Sequence, residues 1–173
     1  MGMFGVMAVA LAVTGANRVE PTARHLEVSL ATCRFLEAVR KGDDEGAAAM
    51  LTAKARKKTS EMGMQVAPPG SDTARFTLGG VVLRDEDTAY AKSEWTDRDS
   101  AGRLRTDPVT WVLRREAGGW RISGMTATVI PGEPPILLDF EDPEDMLRKQ
   151  QSLQQEARKK NGRSGVEAPP GGN

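Results

Sequence analysis

Residues 109–130, VTWVLRREAGGWRISGMTATVI, decide the fold that this sequence predicts. Two runs rich in β-branched and aromatic residues lie on either side of the tripeptide Ala117-Gly118-Gly119, a pattern typical of two strands joined by a tight turn. A link this short holds neighbouring strands antiparallel. The stretch therefore predicts a β-hairpin.

The side chains of this hairpin separate by alternation into two faces. Val109, Trp111 and Leu113 point to one face of the first strand, and Trp120 and Ile122 share a face of the second. These are the more apolar sets. We therefore expect them to cover the helices and to bury both tryptophans in the core.

Two earlier segments extend the hairpin into a four-stranded antiparallel sheet. Residues 74–83 (ARFTLGGVVL) and 88–96 (TAYAKSEWT) have a similar strand-forming composition, and turn-prone polar segments separate them. Gly79 and Gly80, inside the first of these, predict a bulge or a bend. A strongly curved sheet needs such a bulge.

A helical period precedes the strands. Residues 25–41 carry one broad apolar face, and Gly42 is a typical helix stop. Asp43 and Asp44 then predict the start of a single second helix that includes residues 46–58. Its inward stripe consists of Ala47, Met50, Leu51 and Ala55.

The segment after the sheet is predicted to be an extension of the domain. Residues 131–160 begin with a proline-rich link that contains the apolar run 136–138, and a helix follows with Asp142 as its N-cap and Pro143 in its first turn. The apolar stripe of this helix is thin, which favours a solvated appendage, with a partner-docking helix as the alternative. The stripe of this helix consists of Met146, Leu147, Leu153 and Ala157. Beyond the helix, residues 161–173 predict a disordered tail.

Residues 1–16 predict a signal peptide or a short anchor. Residues 3–13 form an apolar run of the length of a signal h-region, and small residues follow it, although no Lys or Arg precedes it. The run is shorter than the about 20 residues that a spanning helix needs. We expect cleavage and export to a bacterial cell envelope or periplasm, with membrane contact only if the segment stays uncleaved.

Composition excludes several classes of protein. Lys plus Arg and Asp plus Glu both total 24, so the chain lacks the basic excess that is typical of nucleic-acid binding. Cys33 is the only cysteine, which rules out an intramolecular disulfide and a cysteine-rich zinc site. No motif for a nucleotide or a catalytic metal occurs, and we expect no cofactor.

Residues 22–130 resemble the nuclear transport factor 2-like superfamily. The resemblance lies in FLEAVRKGDDEGAAAMLTAKAR (residues 35–56) and in the hairpin pattern V-x-W-V-L-R-R-x-x-G-G-W-R-I. It implies an α+β domain over residues 17–130, in which the N-terminal helices pack in a strongly curved antiparallel sheet, or cone, followed by a C-terminal helical extension. It also implies a pocket at the open end of the cone and a homodimer formed through the sheet.

The best polar cluster in the sequence is Tyr90, Lys92 and Glu94. These residues alternate along one strand and so share a face, which brings a phenol, an ammonium and a carboxylate together as candidate ligand-binding residues. Tyr90 and Glu94 are the candidate catalytic pair. The alternative is the solvated outer face of an amphipathic strand, because Ala91 on the opposite parity belongs to a more apolar set.

Three functions remain open at this point. The residues favour an exported accessory domain without catalytic activity, which binds a small ligand or another protein. A small-molecule isomerase, cyclase or dehydratase that uses the cone pocket is the first alternative, although no base and acid can be assigned by motif and His25 is the only histidine. A protein-docking module that acts through the C-terminal helix is the second.

Overall fold

The computed structural model of the chain describes residues 23–128, 135–149, 151–152 and 155. The predicted signal segment, most of the proline-rich link and the predicted tail lie outside the described residues. Three helices precede five strands, so the α+β class is confirmed. Within the described ranges, no helix has both the length and the apolar character needed to cross a bilayer.

The first helix, α1, spans Ala23–Lys41 and packs on the sheet through a stripe that includes Val28, Phe35 and Leu36. It ends where predicted, because Gly42 takes a φ of 70° that few other residues adopt. The added Cβ of any other residue at position 42 would also lie 2.4 Å from the backbone nitrogen of Gly70. This glycine therefore fixes both the end of α1 and the close approach of the following loop.

The prediction of a single second helix is wrong, because the structure contains two. Helix α2 spans Asp44–Ala49 and α3 spans Ala53–Glu61. Thr52 ends the continuity, because its backbone N–H donates to the carbonyl of Ile122 and its side chain caps α3 at the N–H of Ala55. Met50 accepts a hydrogen bond from the backbone N–H of Ile122. The sheet edge thus takes the backbone groups that a continuous helix would have used.

The five strands form one antiparallel sheet in the order β1-β2-β3-β4-β5. Their bounds are Arg75–Leu83 (β1), Thr88–Arg98 (β2), Leu104–Glu116 (β3), Gly119–Ala127 (β4) and Ile136–Asp139 (β5). The register between β1 and β2 shifts between Leu78 and Val81, so the bulge predicted at Gly79-Gly80 is confirmed. A second irregularity lies between Val112 and Leu113. Both bend the sheet over the helices.

The fifth strand was not predicted. The apolar run 136–138 is not a link but part of β5, which pairs with β4 from Ile136 opposite Ala127 to Asp139 opposite Gly124. Residues 143–149 are helical after it, and the predicted N-cap is confirmed because the N–H of Asp145 donates to Asp142 Oδ1. Pro143 is fully buried, so the start of this helix is part of the fold and not a solvated appendage.

The core lies between α1 and the inward face of the sheet, as the alternation predicted. Trp111, Leu113, Trp120 and Ile122 are all buried. The Trp111 ring meets Phe35 of α1 edge to face, with ring centroids 5.0 Å apart. The hairpin of β3 and β4 therefore supplies the part of the core that α1 covers.

Candidate functional site

An apolar cavity of about 270 Å³ lies beside this core, between α1 and the inward face of the sheet. We call it the inner cavity. Helix α1 contributes Phe35 and Val39, and the sheet contributes Trp111, Met125 and Leu138. The remaining lining residues are Leu51, Thr59, Met64, Gln65, Val66, Phe140 and Met146.

The polar groups of the inner cavity are already hydrogen-bonded or face solvent. The Thr59 hydroxyl donates to the carbonyl of Ala55 at 3.0 Å. The indole N–H of Trp111 donates to Ser93 Oγ at 2.9 Å. Gln65 is exposed. No lining residue carries a charge, so this wall favours apolar groups through burial of carbon surface.

A second hollow, the outer cleft, lies next to the inner cavity, towards the end of β2 and the start of β3. Its volume is about 390 Å³. The two hollows are neighbours that share one wall. Its residues are Val39, Trp111 and Met125. The other lining residues are Leu36, Trp95, Arg105, Asp107, Pro108, Val109 and Thr128.

The outer cleft is apolar except at its rim. There, Arg105 Nε donates to Asp107 Oδ1 at 2.8 Å, and both side chains are well exposed. The two hollows together therefore run from an uncharged interior to an ion pair in contact with solvent.

The C-terminal strap, which we define as residues 136–149, closes one side of the inner cavity. Leu138, Phe140 and Met146 face the cavity from this segment. Glu141 attaches the strap to the rest of the fold. Its side chain is 12% exposed, and its carboxylate accepts a 2.8 Å hydrogen bond from the Thr52 hydroxyl. Lys54 Nζ and Arg114 Nε each lie 3.8 Å from its other oxygen.

The residues singled out in the sequence do not line the inner cavity. Tyr90, Lys92 and Glu94 share a face, as predicted, but it is the outer face of the sheet, since the alternate residues Ala91 and Ser93 are buried beneath it. Lys92 and Glu94 are exposed and border a hollow on that outer face. Their role in binding or catalysis stays a prediction.

The Tyr90 hydroxyl has a partner outside the predicted cluster. It accepts a hydrogen bond from Arg84 Nη1 at 3.1 Å. This bond raises the pKa of Arg84 above its ordinary value, because it favours the charged guanidinium. The phenol is therefore paired with an arginine of the β1–β2 turn.

Sequence reasoning missed the charged end of the outer cleft. The signal was present, because Arg105 and Asp107 have the same parity on β3 as Val109 and Trp111. An ion pair on an otherwise inward-facing parity marks the point where the covered face opens to solvent. Phe140 and Met146 could not be found in the same way, because their place depends on β5.

Helices covering one face of a bent antiparallel sheet, with a hollow between them, are the architecture implied by the resemblance. The observed α+β fold is consistent with the cone of the nuclear transport factor 2-like superfamily that the sequence resembles. Among the described residues, no group of three His, Cys, Asp or Glu side chains is placed to hold a metal ion.

Comparison with known protein families finds no match, and no curated protein matches. Among solved structures, a ketosteroid isomerase-like protein from Erwinia carotovora atroseptica is 17% identical, with a TM-score of 0.41 over 58% of this chain and 92% of its own. The association domain of CaMKII from C. elegans is 15% identical, with a TM-score of 0.44 over 59% and 92%. A protein with a cystatin-like fold from Nostoc punctiforme is 18% identical, with a TM-score of 0.42 over 63% and 92%. These are likenesses of fold at low identity, and they assign no activity.

Proposed function

We propose that this domain is an accessory binding domain that takes an apolar ligand in the inner cavity. The observation that supports this most is the chemistry of the lining, which combines aromatic and methionine side chains with no charged group. Such a wall binds through burial of apolar surface, and methionines adapt to differently shaped ligands.

The enzyme alternative has less support. An isomerase-like site needs a carboxylate base in an apolar pocket, whereas the lining of the inner cavity contains no carboxylate. The candidate pair Tyr90 and Glu94 lies on the opposite side of the sheet. The carboxylate that lines the outer cleft, Asp107, is about half exposed and is paired with Arg105.

The C-terminal helix has less support as a docking module. Pro143 is buried and Met146 lines the inner cavity, so its first turns are occupied with closing the fold. The strap instead supports the binding proposal, because it completes the wall of the cavity.

Three cavity methionines make the binding proposal directly testable. Met64, Met125 and Met146 line the inner cavity, whereas Met62 is exposed outside it. In protein labelled with ¹³C at the methionine methyl groups, titration with indole or cyclohexanol should shift the three cavity signals and leave that of Met62 unchanged. Equal shifts at all four, or none, would reject an inner binding site.

A matched pair of variants provides the control. Val39→Phe adds a ring at a position that lines the inner cavity and should abolish the shifts. Val82→Phe makes the same change on the outer face, where Val82 is 55% exposed, and should leave them as in the parent protein. If Val39→Phe fails to fold, Leu138→Phe, on a different element of the lining, is the replacement.

We also propose that the domain is exported, which rests on the apolar run at residues 3–13. Expression of the full chain in a bacterial host with fractionation and mass spectrometry of the mature N-terminus tests it. A new N-terminus close to residue 17 in the envelope fraction is the expected result. An intact chain in the cytoplasmic fraction would remove the proposal.

The outer face of the sheet is our proposal for a contact between two copies of the chain. Its support is the 55% exposure of Val82, which lies opposite Tyr90 on that face, and the hollow that Lys92 and Glu94 border there. Val82→Asp should lower the mass measured by light scattering from that of a dimer to that of a monomer. A monomeric parent protein would contradict the proposal.

A further inference from the structure

We propose that the ligand of the two hollows is a single-chain amphiphile with a carboxylate head, its tail in the inner cavity and its head at Arg105. This inference rests on the proposed binding function and adds the chemical class of the ligand. Three features of the described residues carry it: the shared wall, the change of polarity along the two hollows, and the unused donors of Arg105.

The shared wall places the two spaces in series. Val39 of α1, Trp111 of β3 and Met125 of β4 line both the inner cavity and the outer cleft. Met125 is opposite Trp111 in the sheet and is only partly buried. A methionine side chain is unbranched and changes conformation readily, so Met125 can move aside for an alkyl chain that runs from one space into the other.

Polarity changes in one direction along this path. At the inner end, the strap presents Leu138, Phe140 and Met146, and no lining residue is charged. At the outer end, Trp95, Pro108 and Val109 lead to the rim, where Arg105 is 67% exposed. A molecule that is apolar throughout would leave the rim unused. An amphiphile matches both ends, since its tail is buried while its head stays hydrated.

The hydrogen-bond donors of Arg105 that Asp107 does not use indicate the head group of the ligand. The Arg105 Nε–H is taken by Asp107, which orients the guanidinium at the rim. In the described part of the chain, its two terminal amino groups make no other hydrogen bond. An arginine fork of this kind binds a carboxylate in two parallel hydrogen bonds, which an alcohol cannot form and a quaternary ammonium cannot accept.

The experiment compares three ligands with chains of eight carbons, counting the carboxyl carbon of octanoate: octanoate, 1-octanol and octyltrimethylammonium. Each is titrated into ¹³C-methionine-labelled protein below its micelle-forming concentration. We expect all three cavity methionines to shift with octanoate, and we expect octanoate to bind more tightly than the other two. In Arg105→Gln, the Kd for octanoate should rise about fivefold to tenfold, while the Kd for 1-octanol stays unchanged.

Arg103→Gln is the matched control. Arg103, in the turn between β2 and β3, is 80% exposed and paired with Asp99, but it does not line the outer cleft. It carries the same charge, so its loss changes the general field without removing the fork. The Kd for octanoate should stay within about twofold of that of the parent protein, because an exposed charge that makes no hydrogen bond to the head group contributes little.

Each other outcome overturns the inference. Equal weakening of octanoate and octanol by Arg105→Gln would mean that Arg105 supports the fold of the cleft. Tighter binding of octyltrimethylammonium than of octanoate would mean that the rim binds a cationic head group and not a carboxylate. If cyclohexanol shifts the cavity methionines but octanoate does not, the binding function stands and the amphiphile is wrong. If neither shifts them, both proposals fall.

Discussion

Trp111 and Trp120, on adjacent strands, contribute to the stability of the fold in different ways. Both are buried on the inward face of the hairpin. The indole N–H of Trp111 donates to Ser93, whereas that of Trp120 is buried without a hydrogen-bond partner among the described residues. A buried donor without a partner costs about 1–3 kcal/mol of stability. Trp120 therefore stabilises the fold through the packing of its ring and not through a hydrogen bond of its N–H.

This difference predicts opposite sensitivities to the same substitution. Trp111→Phe leaves the buried Ser93 hydroxyl without its partner, whereas Trp120→Phe removes an N–H that was already unpaired. Both changes remove a similar volume. We expect Trp111→Phe to lower the free energy of unfolding by about 1–3 kcal/mol more than Trp120→Phe. Urea denaturation followed by circular dichroism measures this, and equal losses would contradict the role given to Ser93.

Glu37 provides a pH-dependent contribution on the surface of α1. Hydrogen bonds from Arg40, aided by Lys41, lower the pKa of Glu37 from 4.5 to about 2. A carboxyl whose pKa is lower in the folded state stabilises the fold above its unfolded pKa. That contribution is lost as the pH falls from about 4.5 to about 2. It is small, because the group is solvent-screened.

Glu37→Gln should therefore lower stability at pH 7 and make a much smaller difference at pH 2. The measurement is the urea midpoint of both proteins across this pH range. Glu61→Gln is the control, since the carboxylate of Glu61 lies 3.9 Å from Lys57 in a longer contact. A difference between Glu37→Gln and the parent protein that does not change with pH would contradict the assignment.

At the scale of elements, Gly124 determines whether β5 can join the sheet. A Cβ added there would lie 2.6 Å from the carbonyl oxygen of Leu138, which is closer than side-chain carbons are found. The requirement comes from the close approach of two backbones. Gly124 is thus the residue of β4 that makes the fifth strand possible.

Gly124→Ala should push β5 away from β4 and lower the free energy of unfolding by about 1–3 kcal/mol. Hydrogen exchange should rise first in residues 136–139. Gly80→Ala is the matched control, because a Cβ at Gly80 has no atom within 4 Å. We expect that change to alter stability by less than about 1 kcal/mol. A stable Gly124→Ala protein with protected β5 amides would show that the strands can separate at little cost.

At the scale of the whole molecule, the strap connects the helical corner to the sheet. Glu141 accepts from Thr52 at the start of α3 and approaches Arg114 of β3, and the N–H of Phe140 donates to the carbonyl of Ser123 on β4. The same segment closes the inner cavity. Loss of the strap therefore affects stability and the binding space together.

Two truncations distinguish the strap from the residues that come after it in the chain. A chain that ends at residue 135 loses β5 and the cavity wall, so its melting temperature should fall by more than about 5 °C and its cavity methionines should no longer respond to indole. A chain that ends at residue 155 keeps both and should melt within about 1 °C of the full chain. If both truncated chains behave alike in calorimetry, the strap is not part of the folding unit.

The sequence by itself determined the hairpin of β3 and β4, its two faces, the bulge at Gly79-Gly80 and the end of α1 at Gly42. Each of these follows from local geometry, because strand alternation and the φ of glycine depend on a few consecutive residues. The role of Tyr90, Lys92 and Glu94 stays a prediction, because alternation shows which residues share a face but not which chemistry that face performs.

Only the tertiary structure decided the break at Thr52, the fifth strand and the charged rim at Arg105. Each depends on residues far apart in the chain, because Thr52 bonds to Ile122 and Glu141, and β5 needs the open edge of β4 and the bare backbone of Gly124. Local propensity is weak for a six-residue helix or a four-residue strand. Contacts with residues far away in the chain supply the remaining free energy that stabilises these elements. No local sequence pattern indicates those contacts.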